Sequence, residues 1–386
     1  MRSTPEFDEV ADLLAKMVAI PSVNPRDRHL PAEQALAEFV AGWLAAEGLD
    51  VTMDPVLPGR PNVVARYPGW DRAEGALLLE SHLDTVEIEG MTVSPFGAEI
   101  RGDRLFGRGS CDAKASLAAY MLAMVGVARE NRRPRVNVIL AAFMGEEYLA
   151  LGAKHFVAGR PNLLAAVVGE PTSLRAVIAC KGVIRFRVQT VGRAAHSSRP
   201  WEGDNAIDRM AGVIVHLRGQ AAGFMEAQGH PLVGRRSHTV TRVEGGVASN
   251  VVPNECTIEV SRRLLPGEDP EAIWVAYQSD LEALAPGRVV VERPLVVASA
   301  LQTDPASAIV QGLTRCQFGA KLDPEPVGVD FASDASVIAA YGVPTVIFGP
   351  GSISDAHQPD ESVRLADVDA ARRVIKELIE TFDPGC

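Results

Sequence analysis

Three nearly unbroken apolar runs limit what this chain can fold into: residues 76–79, 136–143 and 343–348 carry few polar side chains. Strands apolar on both sides must be covered on both faces, and the sheets that allow this are largely parallel and flanked by helices. Candidate helices are present. Residues 113–127, rich in Ala, Leu and Met, follow a glycine-bearing turn, and residues 367–382 place Val368, Ala371, Val374, Ile375 and Leu378 at helical spacing.

The middle of the chain has a different texture. Ile184, Phe186 and Val188 alternate with Arg185, Arg187 and Gln189, and Ile258 and Val260 alternate with Glu259 and Ser261. That alternation belongs to a sheet with one wet face. Helical stretches near residues 205–218 and 270–284 interleave with these strands. At 386 residues the chain is also long for a single core. The expected fold is therefore α/β: a helix-flanked mixed, largely parallel sheet from residues 1–175 and 294–386, with residues 176–293 inserted as a small α+β domain.

Charge and cysteine usage exclude several classes of function. Lys and Arg number 38 against 49 Asp and Glu, a formal charge of -11. Such a field repels nucleic acid and anionic membranes, so neither partner is expected. No stretch approaches the roughly 20 apolar residues of a membrane span. Glu6, Asp8, Glu9 and Asp12 precede a modest apolar stretch, the reverse of a secretion signal. The cysteines, Cys111, Cys180, Cys256, Cys316 and Cys386, are odd in number and widely spaced, which points to free thiols in a reducing cytoplasm.

The residues that carry chemistry sit just after the apolar runs. His82 and Asp84 follow the first, two positions apart, so a carboxylate can reach the imidazole and hold its tautomer. Asp112 stands at a helix start, where an ordinary Asp would be a cap. Glu146 and Glu147 end the longest apolar run, a costly place for adjacent carboxylates unless they are solvated or bind cations. Glu170 follows another apolar run, and His357 comes after residues 343–348. Taken singly, each admits a bland reading as a cap or a solvated turn. Together they lie where open α/β sheets assemble their sites, at the carboxyl ends of strands. Two histidines and three carboxylates suit two divalent cations, zinc best, with cobalt or manganese as alternatives. One carboxylate would bridge ions roughly 3.5 to 4 Å apart, and Glu146 would be the general base. No HExxH helix motif is present. Two other readings stand beside this one: a thiol amidohydrolase using Cys111 with His82, and a metal-binding protein without catalysis.

Ser81-His82-Leu83-Asp84-Thr85-Val86, Gly107-Arg108-Gly109-Ser110-Cys111-Asp112-Ala113-Lys114, Gly145-Glu146-Glu147, Gly169-Glu170-Pro171-Thr172, and Gly349-Pro350-Gly351 with His357 occur in that order. In this the chain resembles the M20 metallopeptidases, over nearly its whole length. The resemblance implies Asp112 as the bridge, His82 and Glu170 at one ion, Glu147 and His357 at the other, Glu146 as base and Asp84 orienting His82. It implies that the inserted domain is a lid and homodimer contact, with His196 reaching the partner subunit's active site to stabilise the oxyanion, and Asn250 and Arg263 binding substrate. The expected reaction is hydrolysis of an N-acyl amino acid, nearest to the acetylornithine deacetylase type. A dipeptidase, a glutamate carboxypeptidase and a succinyl-diaminopimelate desuccinylase are the alternatives. Two departures bear on substrate: Ser333-Asp334-Ala335 has Asp where the deacetylase type carries Glu, as the carboxypeptidase G type does, and Ala115-Ser116 replaces the small glycine-containing step usual after Lys114.

Overall fold

The computed structural model describes residues 8–25, 32–70 and 75–385. Glu6 and Cys386, both used in the reading above, lie outside them, as does the side chain of Asp8. The chain divides into two compact units, Met1–Ile178 with Thr303–Gly328 and Ser333–Cys386, and Ala179–Gln302 with Val329–Ala332.

The first unit is built on a twisted mixed sheet. Its strands run in the order Asp50–Leu57, Arg60–Tyr67, Asn137–Phe143, Ala76–His82, Leu163–Val168, Thr345–Ile347, Val177–Cys180. The four from Asn137–Phe143 to Thr345–Ile347 are mutually parallel, and the strands outside them pair antiparallel. The expected α/β class is what forms. Ala76–His82 lies at the centre and is buried at every residue, which explains its lack of alternation.

The helix Lys114–Arg129 is buried almost all round and packs against Leu365–Thr381 and the sheet. Its alanines let it approach closely, and its lack of a polar face follows from having neighbours on every side. Leu77 and Leu79 join these helices in one core, whereas Leu78 and Glu80 point to the other sheet face.

The second unit carries an antiparallel sheet ordered Ser237–Gly245, Glu255–Leu264, Gly182–Val191, Val289–Val291, with Val296–Ala298 also pairing with Gly182–Val191. Ile184, Phe186 and Val188 face Ala206–Glu226 and Pro270–Leu284 in its core, with Met210, Val213, Trp274 and Leu281 among their neighbours. Both helices start at side-chain caps: Asn205 accepts the amides of Ile207 and Asp208, and Asp269 accepts that of Ala272. The four described cysteines are buried and form no disulfide with one another. No described helix is long and apolar enough to cross a membrane.

Candidate metal centre

The parallel strands deliver their chemistry at one end. His82 is the last residue of its strand, and Glu170 follows Leu163–Val168 by two residues. Asp112 leads into Lys114–Arg129, and the Asp112–Ala113 peptide is cis. Glu146 and Glu147 open a short helix, Glu146–Leu149, after a left-handed Gly145 at φ 71°. His357 is itself left-handed, at φ 59°, an unusual backbone for a residue with a side chain.

These residues form two clusters that share Asp112: His82, Asp112 and Glu170, and Asp112, Glu147 and His357, with donor atoms inside each cluster within 4.8 Å of one another. The carboxylate of Asp112 splits between them. Its Oδ1 lies 3.1 Å from His82 Nε2 and its Oδ2 lies 3.2 Å from His357 Nε2. Glu170 Oε2 stands 3.9 Å from His82 Nε2, and Glu147 Oε1 is 3.2 Å from His357 Nε2. Imidazole nitrogens and carboxylate oxygens converging in this way suit zinc-like divalent ions.

The electrostatics follow from burial. Burial opposes charge on His82, but its hydrogen bonds to Asp112 and Asp84, with the charge of Glu170, raise its pKa well above the ordinary value. Hydrogen bonds to Asp112 and Glu147 lift His357 to about 10. Burial raises Glu146 well above the usual carboxyl range; His82 opposes this, while Asp334, Glu147 and Asp84 add to it. A carboxyl pushed up in this way is better matched to accepting a proton near neutrality. Below the centre, Glu80 and Asp334 are also almost wholly buried, and none of their four oxygens has a hydrogen-bond partner among the described residues. Burial carries Asp334 up to about 7, and Glu80 rises through burial and its proximity to Asp334.

The structure adds a main-chain contact to the expected pairing of Asp84 with His82. His82 Nδ1 donates to the backbone carbonyl of Asp84 at 2.8 Å, while the Asp84 carboxylate is 3.6 Å away. That carboxylate accepts the amides of Glu146 at 3.0 Å and Glu147 at 3.1 Å, and the side-chain amide of Asn24 at 2.6 Å. Asp84 thus orients His82 through its main chain and the glutamate pair through its side chain.

Two supporting residues were missed. Glu361 Oε1 accepts the amides of Cys111 and Asp112 at 2.9 and 3.0 Å, and its Oε2 takes Arg108 at 2.7 Å. Lys114 is buried and donates to the carbonyls of Met17 and Ile20, with burial lowering its pKa to about 7. The only sequence signal for Glu361 was a carboxylate four residues after His357. The alternative of a Cys111 nucleophile loses its footing, because burial raises that thiol and it donates to the Ser352 carbonyl.

Beside Glu147 a cavity of about 370 Å³ is bounded by Asn24, Pro25, Val86, Glu87 and Tyr148, which gives a substrate room next to the clusters. The remaining candidates belong to the second unit. His196 is exposed, and its Nδ1 accepts the Ser198 amide at 3.2 Å, so the neutral ring carries its proton on Nε2. Asn250 is exposed in a turn whose backbone carbonyl holds the Ser197 amide. Arg263 makes no ion pair among the described residues, and burial lowers its pKa. Its neighbour Arg262 is the paired one, bound to Glu268.

Residues 78–381 match the model of the peptidase family M20/M25/M40. The chain is 30% identical to an acetylornithine deacetylase of Photorhabdus laumondii, across 96% of both chains. Its fold is similar to an M20 family metallo-carboxypeptidase of Sulfolobus solfataricus, with TM-score 0.79 at 18% identity over 97% and 99% of the two chains. It is also similar to a dinuclear metal-binding M20 peptidase of Bacillus subtilis, with TM-score 0.70 at 15% identity over 97% of each chain. With two clusters of metal-type donors sharing one carboxylate, this chain belongs to peptidase family M20/M25/M40 and is a metal-dependent amide hydrolase.

Proposed function

We propose that the protein removes the acyl group from an N-acylated amino acid, acetylornithine or a close relative, at a centre of two divalent ions, zinc by the chemistry of its donors. The observation that carries this reading is the division of Asp112, whose two oxygens face two different histidines. His82 and Glu170 would complete one ion site, and Glu147 and His357 the other. Two bound ions polarise an amide carbonyl and acidify water.

The chain's own groups do the rest. Glu146 takes a proton from the attacking water as its oxygen adds to the carbonyl carbon. When the carbon–nitrogen bond breaks, Glu146 returns that proton to the leaving nitrogen, so acid and free amine are released. His196, with its proton on Nε2, is suited to donate to the developing oxyanion. Arg263, without an ion-pair partner among the described residues, is suited to grip a substrate carboxylate in company with Asn250.

Identity to acetylornithine deacetylases along almost the full chain supports the substrate class. The exposed edge strand Ser237–Gly245 supports homodimerisation through the second unit, since such an edge offers unpaired backbone groups to a second copy. Four buried cysteines that form no disulfide with one another support a reducing cytoplasm. The test is direct: metal-replete protein is assayed for amine release from acetyl, succinyl and benzoyl amino acids and simple dipeptides. Acetyl amino acids with basic side chains should be the best substrates, and failure to release amine from any of them would end this reading.

A further inference from the structure

Glu146 and Glu147 sit on a segment that leaves the sheet at Met144 and folds back against it at Gly152, near the start of the helix Leu151–Ala158. Its two corners, Gly145 at φ 71° and Ala150 at φ 53°, are both left-handed. For alanine that conformation is unfavourable, so something must hold the loop in shape.

Its neck is closed by one side chain. Asn62, wholly buried, accepts the Met144 amide on Oδ1 at 3.1 Å and donates from Nδ2 to the Gly152 carbonyl at 3.0 Å. The Gly152 amide in turn bonds the Met144 carbonyl at 3.0 Å. The register explains the reach: Val63 pairs with Ala142, so Asn62 stands beside the point where the neighbouring strand ends. A β-carbon on Gly152 would fall 2.5 Å from Asn62 Oδ1 and 2.6 Å from the Met144 carbonyl, so the neck admits nothing larger than glycine. Arg60, on the same strand, is buried and locked to Glu33, and a β-carbon on Gly145 would lie 3.6 Å from its Nη2.

We propose that Asn62 is a positioning residue for the reaction: by clasping Met144 to Gly152 it sets where Glu146 meets the water proton and where Glu147 meets its ion. This rests on the roles given to Glu146 and Glu147 above. Water cannot stand in for either end of the clasp, because all three groups are out of solvent's reach, and the Gly152–Met144 backbone bond is the other tie across the neck. Asp84 holds the two glutamate amides from one side. Asn62 fixes the frame from which those amides project.

The experiment measures cobalt binding stepwise, with its visible spectrum, and kinetics on the best acetyl amino acid, for wild type, Asn62→Ala and Gly152→Ala. In both variants the first ion should bind as in wild type and the second should weaken about 10- to 100-fold. The kcat should fall about 100-fold with KM changed by less than about threefold, because the group that is displaced acts on the reacting atoms. Hydrogen exchange on metal-free wild type should show the Met144 and Gly152 amides among the slowest, a readout that does not depend on either variant folding. The proposal is overturned by fast exchange of those amides, or by folded variants that keep the affinity for the second ion and kcat and lose only thermal stability. A wild type that binds two ions but cleaves no amide would instead end the proposed function and leave the clasp to be judged by ion affinity and exchange.

Discussion

At the scale of single residues, the two most informative positions are neighbours in space with different duties. Asp112 offers one oxygen to each cluster, so removing it takes a donor from both sites at once. Glu146 belongs to neither cluster. Asp112→Ala should therefore retain fewer than two ions per chain after metal loading and buffer exchange. Glu146→Ala should retain both and lose about 100- to 10,000-fold in kcat, the usual worth of a general base. Metal analysis of the two purified variants, with kcat for the second, separates these outcomes. Two ions retained by Asp112→Ala would show that it does not bridge.

At the scale of elements, the centre depends on loops tied by buried charge. Glu361 joins the segment after His357 to the turn that carries Cys111 and Asp112, and neutralises Arg108. Arg108 and Glu361 are both almost wholly buried. Glu361→Ala leaves a buried guanidinium without its carboxylate and frees two amides, at a cost of about 3 to 5 kcal/mol. Urea denaturation should show that loss, whereas Glu361→Gln, which keeps an acceptor oxygen for the amides, should lose less. Equal stability of Glu361→Ala and wild type would mean that the ion pair contributes nothing net to the fold.

At the scale of the whole molecule, the carboxylates gathered at the centre make folding and metal binding one equilibrium. Asp112, Glu146, Glu147 and Glu170, with Asp84, Glu80 and Asp334 below them, repel one another in a buried space, and bound cations relieve that repulsion. Each ion held at about 100 times its dissociation constant should add about 2.7 kcal/mol to the stability, about 5 kcal/mol for the pair, and together they should raise the melting temperature by about 7 °C. Calorimetry with and without chelator measures this. A melting temperature that ignores the chelator would place the cations outside the folded core.

Much of this was legible in the chain because the signals are local. An apolar run predicts a covered strand from its own composition, and Ala76–His82 and Asn137–Phe143 lie close to where that logic puts them. His82, Asp112, Glu147, Glu170 and His357 could be singled out because each combines a ligand type with the end of an apolar strand or the start of a helix. The clasp of Asn62 and the tie of Glu361 could not, since their partners lie 82 and 250 positions away and leave no periodic trace. Asp84 illustrates the boundary: proximity to His82 is written in its spacing, but whether its carbonyl or its carboxylate makes the bond depends on the path of the chain after the strand. The sequence alone determined which residue types stand at the strand ends, because burial and spacing are properties of short segments. Only the tertiary structure decided which oxygen of Asp112 faces which histidine and what holds Glu146 and Glu147 in place, because hydrogen-bond geometry is set by segments that meet only after folding.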